Sequence, residues 1–292
     1  MAGNATRRSA FSTAKPLILG MNVTDSNAIL ALSSSVAVGH VGLSAIVPTL
    51  GLLGRSCAAL PTVVLANHPG FAHTAGMQIP VATLDAMSQA IEHNGWLGSF
   101  ATILTGYLPS AAHVALAANL VAKLRAVHPA THYVCDPVLG DDPKGLYIDA
   151  QAALAIRNQL VPLADLVLPN RFELSYLSGR SVTSVDQAIV AAQTLPCPQV
   201  MAKSIPATGD WLCNVHIRSE NIASITVPRQ DGVPNGTGDM FSALIAAGWP
   251  LERATSALST VIADSRGRNH LAIVEASAQW LRALPLSLDA RA

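Results

Sequence analysis

The stretch FATILTGYLPSAAHVALAANLVAKLRAVHPATHYVCD, residues 100–136, contains two short apolar segments on either side of a longer one. Segments 100–106 and 132–136 are apolar throughout, which is typical of strands that are buried on both faces of a sheet. Residues 110–127 between them have the length and pattern of a helix. A strand, a helix and a strand in this order predict two parallel strands joined by a crossover helix.

The same alternation continues along most of the chain. Further strands are predicted at 28–33, 58–66, 165–169 and 199–203, and further helices at 42–53, 83–94, 149–161 and 184–195. Two apolar segments separated by polar residues, 211–217 and 221–227, predict an antiparallel hairpin at a sheet edge. Three more helices are predicted after the hairpin, at 237–248, 251–266 and 271–284. The predicted fold class is α/β, with three α/β/α layers: a mostly parallel central sheet and helices on both faces.

Composition limits the class of protein. Of the 292 residues, 50% are hydrophobic and 12% are charged, which favours a compact globular protein over a disordered one. Eighteen basic and eighteen acidic residues cancel, and no basic stripe is present, so neither a nucleic acid nor a membrane surface is expected as a partner. The four cysteines are far apart and form no CxxC pair, which is typical of reduced thiols in a cytoplasmic protein.

The first 27 residues differ from the rest. Residues 1–27 are polar and have no periodicity, and their one apolar stretch, PLILGM, is too short for a membrane helix or a signal peptide. They are predicted to be a disordered N-terminal extension, with a transit peptide or a start codon placed upstream of Met21 as alternatives. No linker divides the remainder, so residues 28–288 are predicted to form one domain.

Polar side chains follow the predicted strands at the points where those strands end. In open parallel sheets, ligands bind beyond the carboxyl ends of the strands. Each such residue alone is also explained as a turn, a helix start or a solvated strand end, but their succession along one edge predicts a binding site. The residues are Ser34, Asn67, His68, Tyr107, Asp136, Asn170, Glu173 and Lys203.

The segment NGTGD, residues 235–239, precedes an apolar helix and fits two hypotheses. In the first, Asn235 or Thr237 caps the helix, and Asp239 in the first turn is stabilised by the positive end of the helix dipole. In the second, the glycines let successive backbone N–H groups converge on a phosphate, and Asp239 is a base for an attacking hydroxyl. A short glycine motif alone leaves both hypotheses open.

The carboxylates at the strand ends indicate a metal. Asp136 follows an apolar strand, where burial of a carboxylate without a partner is costly. Together with Glu173 it would provide the oxygen ligands that Mg²⁺ prefers, and Lys203 could face nucleotide phosphates. The chain contains neither a GxxxxGK[ST] loop nor a GxGxxG segment after the first strand, which disfavours a Walker-type site and a dehydrogenase.

Several of these motifs resemble a known group of enzymes. NGTGD before a helix resembles the signature of the ribokinase-like superfamily, and PNRFE resembles its N-x-x-E magnesium motif. The segments that are similar to the pyridoxal kinase family are ILALSSSVAVGHVGLSA (29–45), LANHPG (65–70), ILTGYLPS (103–110), YVCDPVLGDDPKGLY (133–147), LADLVLPNRFELSYLSG (163–179) and QVMAKSI (199–205). The resemblance runs in order from about Ile29 to Ile245.

This resemblance implies a ribokinase-like fold and an activity. The activity is ATP-dependent phosphorylation of the 5′-hydroxymethyl group of pyridoxal, and of related vitamers, in vitamin B6 salvage. It also implies Mg²⁺ as cofactor and a homodimer.

The resemblance also implies a role for each matching residue. On the substrate side, Ser34 would hydrogen-bond the pyridine ring, His68 would lie in a loop that touches the substrate, and Tyr107 would lie near the pocket. On the phosphate side, Asp136 and Glu173 would lie around the metal and the ATP phosphates, and Lys203 would bind the nucleotide. The anion hole would be formed by Gly236, Thr237 and Gly238, and the catalytic base would be Asp239.

The chain departs from the family pattern on the substrate side. Pro69 and Gly70 replace a threonine and a polar residue, Val38 replaces a tyrosine, and Ser33 replaces a glutamine. Kinase chemistry is therefore better supported than the identity of the substrate. A hydroxymethylpyrimidine kinase of the same superfamily is an alternative, although VGHVGLSA stands where that enzyme has a stretch like GGAGIQAD. A pyridoxal-binding protein without catalytic activity is a second alternative.

Overall fold

The computed structural model describes residues 27–219 and 221–289, so the predicted N-terminal extension lies, apart from Asn27, outside the described residues. The strands are β1 (Ala28–Val36), β2 (Cys57–Leu65), β3 (Gly76–Gln78), β4 (Phe100–Thr105), β5 (His132–Cys135), β6 (Gly140–Asp141), β7 (Gly145–Leu146), β8 (Leu166–Val167), β9 (Gln199–Pro206), β10 (Trp211–Arg218) and β11 (Asn221–Pro228). The helices are α1 (Leu43–Leu52), α2 (Val81–His93), α3 (Ala111–Val127), α4 (Ala150–Ala155), α5 (Arg171–Ser178), α6 (Val185–Ala192), α7 (Thr237–Ala246), α8 (Leu251–Asp264) and α9 (Ser277–Trp280).

Nine of the described strands form one sheet, in the order β11-β10-β9-β8-β5-β4-β1-β2-β3. The strands from β2 through β1, β4, β5 and β8 to β9 pair in parallel. The hairpin of β10 and β11 pairs antiparallel with β9 at one edge, as predicted, and β3 pairs antiparallel with β2 at the other. The mostly parallel sheet is therefore confirmed. Its strand order changes direction between β1 and β4, which is where ligands bind in folds of this kind.

Helices cover both faces of this sheet, so the prediction of three layers is also confirmed. One buried apolar cluster packs the sheet against α3, α4, α5 and α6 and includes Leu120, Leu174 and Ala188. A second cluster packs the other face against α1, α7 and α8 and includes Ile46 and Phe241. Helix α7, which begins within the NGTGD segment, thus lies on the same face as α1. Within the described ranges, no helix is long and apolar enough to cross a membrane. The domain boundaries 28–288 stay a prediction.

The predicted helix at 271–284 is largely wrong, because only Ser277–Trp280 is helical. Tertiary contacts use the backbone groups that a longer helix would need. The carbonyl of Leu271 lies 2.5 Å from His40 Nδ1, and the carbonyl of Ile273 accepts a hydrogen bond from Trp280 Nε1 at 2.7 Å. Residues 271–273 are fully buried, so their apolar pattern reflects core packing and not a helix.

Helix α5 was not among the predicted helices, although Glu173 was considered as a first-turn acid of a helix. Helix α5 is only eight residues long, but Asn170 and Glu173 form a capping box at its start and Gly179 adopts a left-handed conformation at its end. Those two signals could have identified it. The helix predicted at 149–161 is confirmed: α4 continues without a break as a wider helical turn over Ile156–Leu160.

Candidate active site

The NGTGD segment forms a tight turn that starts α7. Gly236 has a φ of 105°, and a Cβ atom there would lie 1.8 Å from the carbonyl oxygen of His40, so only glycine fits. Gly236 is also the N-cap residue of α7 and has no side chain with which to cap it. The cap by Asn235 or Thr237 that the first hypothesis requires is not formed. The N–H groups of the first turn therefore keep the geometry that binds anions.

Asp239 lies in the first turn of α7 and is half-buried. Burial raises the pKa of its carboxyl to about 6, and the negative charge of Asp136 acts in the same direction. The N–H of Gly42 donates a hydrogen bond to this carboxylate, and this bond, together with the charge of Lys203, opposes the rise in pKa. A carboxyl with a pKa just below neutrality can hold a proton and release it again, as a general base requires.

Gly42 contacts both Asp239 and Ser34, which is on the predicted substrate side. The sequence did not identify Gly42 as a residue of the site. It has a φ of 56°, and a Cβ atom there would lie 2.2 Å from the carbonyl oxygen and 2.3 Å from the hydroxyl oxygen of Ser34. Gly42 therefore touches Ser34 of β1 while it donates to Asp239 of α7. A glycine between a strand and a helix is the signal that could have indicated this close approach.

Lys203 and Asp136 form a buried ion pair beside this turn. Lys203 Nζ lies 2.8 Å from Asp136 Oδ1, and both residues are less than a tenth exposed. Burial favours the neutral amine, but the carboxylates of Asp136 and Glu173 outweigh it and raise the pKa of Lys203. Lys203 was predicted as the last residue of a strand, whereas β9 continues to Pro206 and places it inside the sheet. A fully charged lysine is thus held at a fixed position.

The tight turn formed by NGTGD, residues 235–239 and called the glycine turn below, faces Lys203. A Cβ atom at Gly238 would lie 3.5 Å from Lys203 Nζ, so the first turn of α7 and the ammonium group border the same space. An anion in this space would meet backbone N–H groups on one side and a positive charge on another. This arrangement suits a phosphate.

The carboxylate of Glu173 accepts hydrogen bonds from two backbone segments. Its carboxylate accepts hydrogen bonds from the N–H groups of Asn170, at 2.7 Å, and of Leu139, at 3.2 Å, while Asn170 caps α5 in return. Burial raises the pKa of Glu173, the charge of Lys203 opposes this rise, and the charge of Asp136 adds to it. The interpretation of Glu173 as a first-turn acid of a helix is therefore correct, and it does not exclude a further role toward a ligand.

We expect Glu173→Ala to lower the free energy of unfolding by about 1–3 kcal/mol, because two buried N–H groups lose their acceptor. Urea denaturation followed by circular dichroism would measure the change. Glu252→Ala, which removes a first-turn acid of α8, is the matched control and should stay within about 0.5 kcal/mol of the wild type. Equal stability of both variants would contradict the capping role of Glu173.

Two observations bear on a metal at this site. Within residues 27–219 and 221–289, no three His, Cys, Asp or Glu side chains converge as a metal site would require. Asp136 and Glu173 are nevertheless close enough for the charge of one to raise the pKa of the other, and both are buried oxygen donors. This donor set fits Mg²⁺, which binds few carboxylates and takes its other ligands from water and phosphate.

The predicted substrate residues lie around the switch point of the sheet, where the strand order changes direction between β1 and β4. Ser34 belongs to β1, where it is half-buried, and Tyr107 follows the neighbouring β4. The N–H of Tyr107 donates to Ser33 Oγ at 3.1 Å, so Ser33 fixes the position of Tyr107. Burial raises the pKa of Tyr107, which keeps its phenol protonated.

His68 lies against the NGTGD segment. Its Nδ1 accepts a hydrogen bond from the N–H of Gly70 at 3.0 Å and lies 3.4 Å from Asn235 Nδ2. Burial lowers the pKa of His68, and the positive charge of Lys144 acts in the same direction. Gly70 thus stabilises the loop through its backbone, and the structure brings this loop to the start of the glycine turn.

Comparison with known proteins agrees with this architecture. Residues 41–262 match the family model described as phosphomethylpyrimidine kinase. The chain is 33% identical over 254 residues to a pyridoxine/pyridoxal/pyridoxamine kinase of Bordetella avium, covering 84% of this chain and 86% of that protein. It is 32% identical over 231 residues to a pyridoxal kinase of Corynebacterium diphtheriae, covering 77% and 82%.

A solved structure shares the fold as well. Pyridoxal kinase from Leishmania donovani, in complex with ADP and pyridoxine, is 27% identical, with a TM-score of 0.84 over 90% of this chain and 98% of that one. The mostly parallel sheet with helices on both faces is the fold of the ribokinase-like kinases. The chain belongs to the pyridoxal kinases within the family of the phosphomethylpyrimidine kinase model.

Proposed function

We propose that this kinase transfers the γ-phosphoryl group of ATP to the 5′-hydroxymethyl group of pyridoxal and related B6 vitamers, in vitamin B6 salvage. The observation that supports this function best is the position of Asp239. Asp239 lies in the first turn of α7, and the glycine turn that ends with it borders the ammonium group of Lys203. A base, converging N–H groups and a fixed cation are the parts that phosphoryl transfer to an alcohol requires.

In the proposed reaction, Asp239 accepts the proton of the vitamer hydroxyl. The hydroxyl oxygen forms a bond to the γ-phosphorus while the bond from that phosphorus to the bridging oxygen of ADP breaks, and ADP leaves with the electron pair. Negative charge develops on the phosphoryl oxygens during this transfer. Lys203 and the N–H groups of Gly236 and Gly238, with Thr237 between them, stabilise that charge.

The phosphate side of the site also includes Asp136 and Glu173. We assign both to Mg²⁺, on the ground that they are buried oxygen donors that lie close together. When bound, the ion would neutralise charge on the nucleotide phosphates. The two carboxylates hold this position through their own partners, which are Lys203 for Asp136 and the start of α5 for Glu173.

On the substrate side, Ser34 is assigned to the pyridine ring, with Tyr107 near the pocket and His68 in the loop that touches the substrate. Their positions support this assignment, because Ser34 touches Gly42 next to Asp239 and His68 contacts Asn235 of the glycine turn. A vitamer held by these residues would present its hydroxymethyl group to Asp239.

A panel of substrates tests the proposal. ADP formation is measured with pyridoxal, pyridoxine, pyridoxamine and hydroxymethylpyrimidine at equal concentrations. We expect turnover with the three vitamers. Phosphorylation of hydroxymethylpyrimidine alone would instead support the second candidate function, which the name of the matching family model favours.

The raised pKa of Asp239 predicts an acidic limb in the pH profile. A general base must be deprotonated, so kcat/KM for the vitamer should rise with pH through about 6 and level off above it. Measurement with both pyridoxal and pyridoxamine separates the enzyme from its substrates, because a limb that belongs to the enzyme has the same midpoint with both. A midpoint below pH 5 would contradict the environment described for Asp239.

Two further properties are proposed from the family resemblance, a homodimeric state and a cytoplasmic location. Size-exclusion chromatography with light scattering would test the first. A single mass of about 30 kDa, the mass of the chain, would contradict it.

A further inference from the structure

Ser242 is a buried polar residue of α7 that the proposed mechanism does not use. Its hydroxyl donates a hydrogen bond of 2.5 Å to Asp136 Oδ2, and the two residues are 1% and 4% exposed. The other oxygen, Asp136 Oδ1, accepts from Lys203 at 2.8 Å. Asp136 is thus held by one donor on each oxygen, and Ser242 provides the donor that carries no charge.

The position of Ser242 on α7 gives this bond a second consequence. Ser242 follows Asp239 by three residues, and residues three apart lie next to each other on one face of a helix. The face of α7 that carries the proposed base therefore also carries the serine that binds Asp136. The other residues of this part of the helix, such as Phe241 and Leu244, are fully buried in apolar surroundings.

We propose that Ser242 is a positioning residue for phosphoryl transfer: its hydroxyl fixes the carboxylate of Asp136, and through it Lys203, relative to the helix that carries Asp239. This inference rests on the proposed function. A carboxylate that is free to rotate would present its oxygens to the nucleotide side in several orientations, and Lys203 would follow. The vitamer side, around Ser34 and Tyr107, does not depend on this bond.

Three substitutions of Ser242 separate the hydroxyl from the space it fills. Ser242→Ala removes both, Ser242→Cys keeps most of the volume but is a weak donor, and Ser242→Thr keeps the hydroxyl. The net free energy of a hydrogen bond to a charged group corresponds to about a 10- to 100-fold change in an equilibrium or rate constant. We expect Ser242→Ala and Ser242→Cys to lower kcat/KM for ATP by a factor in this range, and Ser242→Thr to recover most of it.

The affinity for the vitamer distinguishes positioning from a general structural role. Calorimetric titration of pyridoxal without nucleotide should give the wild-type dissociation constant for Ser242→Cys, whereas a distorted fold would weaken both ligands. Ser259→Ala is the matched control, because Ser259 of α8 donates to the carbonyl of Thr255 at 2.9 Å and is not part of the site. This control should leave kcat/KM for ATP and the dissociation constant of pyridoxal unchanged.

A double-mutant cycle tests whether Ser242 acts through Asp136. In an Asp136→Ala background, Ser242→Ala should have little further effect on kcat/KM for ATP, because no side-chain oxygen remains for Ser242 to position. Additive effects, or wild-type turnover of Ser242→Cys, would overturn the inference. If the wild type and Ser259→Ala phosphorylate no vitamer, the proposed function fails instead, and the two failures are thereby distinguished.

Discussion

Asp239→Asn should lower kcat for pyridoxal by about 10²–10⁴-fold, which corresponds to about 3–5 kcal/mol of activation free energy. Asparagine keeps the size of the side chain and can still accept a hydrogen bond from Gly42, but it cannot take the proton of the vitamer hydroxyl. Steady-state kinetics with saturating ATP and pyridoxal would measure the loss. The dissociation constants of both ligands should change little, because the substitution removes a proton acceptor and not a binding surface.

Stability provides the control for this variant. The pKa of Asp239 is raised in the folded state, so its favourable contribution is present below its ordinary pKa of 3.8 and is lost as the pH rises through about 6. At pH 8 the ionised carboxylate is therefore unfavourable, and Asp239→Asn should melt no earlier than the wild type. Asp186→Asn, at an equivalent first-turn position of α6, should alter neither property. Normal turnover with earlier melting of Asp239→Asn would instead support the first hypothesis for NGTGD, in which Asp239 only stabilises the start of the helix.

The layered fold was predictable because its elements have strong local patterns. The hairpin predicted at 211–217 and 221–227 begins where β10 and β11 begin, and each predicted strand ends one residue early. The parallel direction of the strands also follows, since strands joined by a crossover helix run parallel, whereas their order in the sheet was not predicted. These features depend on neighbours in the sequence, and for that reason a single sequence contains them.

The components of the site that were missed depend on contacts distant in the sequence. Ser242 and Asp136 are 106 residues apart, and nothing in either segment indicates that they meet. The hydrogen bond of Gly42 to Asp239 requires α1 and α7 to lie on the same face, which the order of elements does not determine. Lys203 was predicted to bind the nucleotide, but its ion pair with Asp136 was not predicted. Residue types and motifs thus indicated which residues belong to the candidate site, whereas the bonds among them required the fold.

The same ion pair leads to the second prediction of large effect. Lys203→Met should destabilise the fold by about 3–5 kcal/mol, because Asp136 would be left as a buried charge without its cation. It should also lower kcat by about 10²–10³-fold, as expected when a group that stabilises developing charge is lost. Urea denaturation and steady-state kinetics measure the two effects separately. Unchanged stability would contradict the structure, in which Asp136 is a buried carboxylate that needs Lys203 as its counter-ion.

The double variant Asp136→Asn/Lys203→Met separates folding from function. It removes both charges, so no uncompensated charge stays buried, and the amide oxygen introduced in place of the carboxylate can still accept from Ser242. We expect it to recover most of the lost stability, since a buried ion pair can be replaced by neutral groups at little cost. Turnover should stay low, because neither the cation for the phosphoryl group nor the carboxylate assigned to Mg²⁺ is restored. Recovery of turnover together with stability would mean that Lys203 serves only to neutralise Asp136, and its assignment to the nucleotide phosphates would then be wrong.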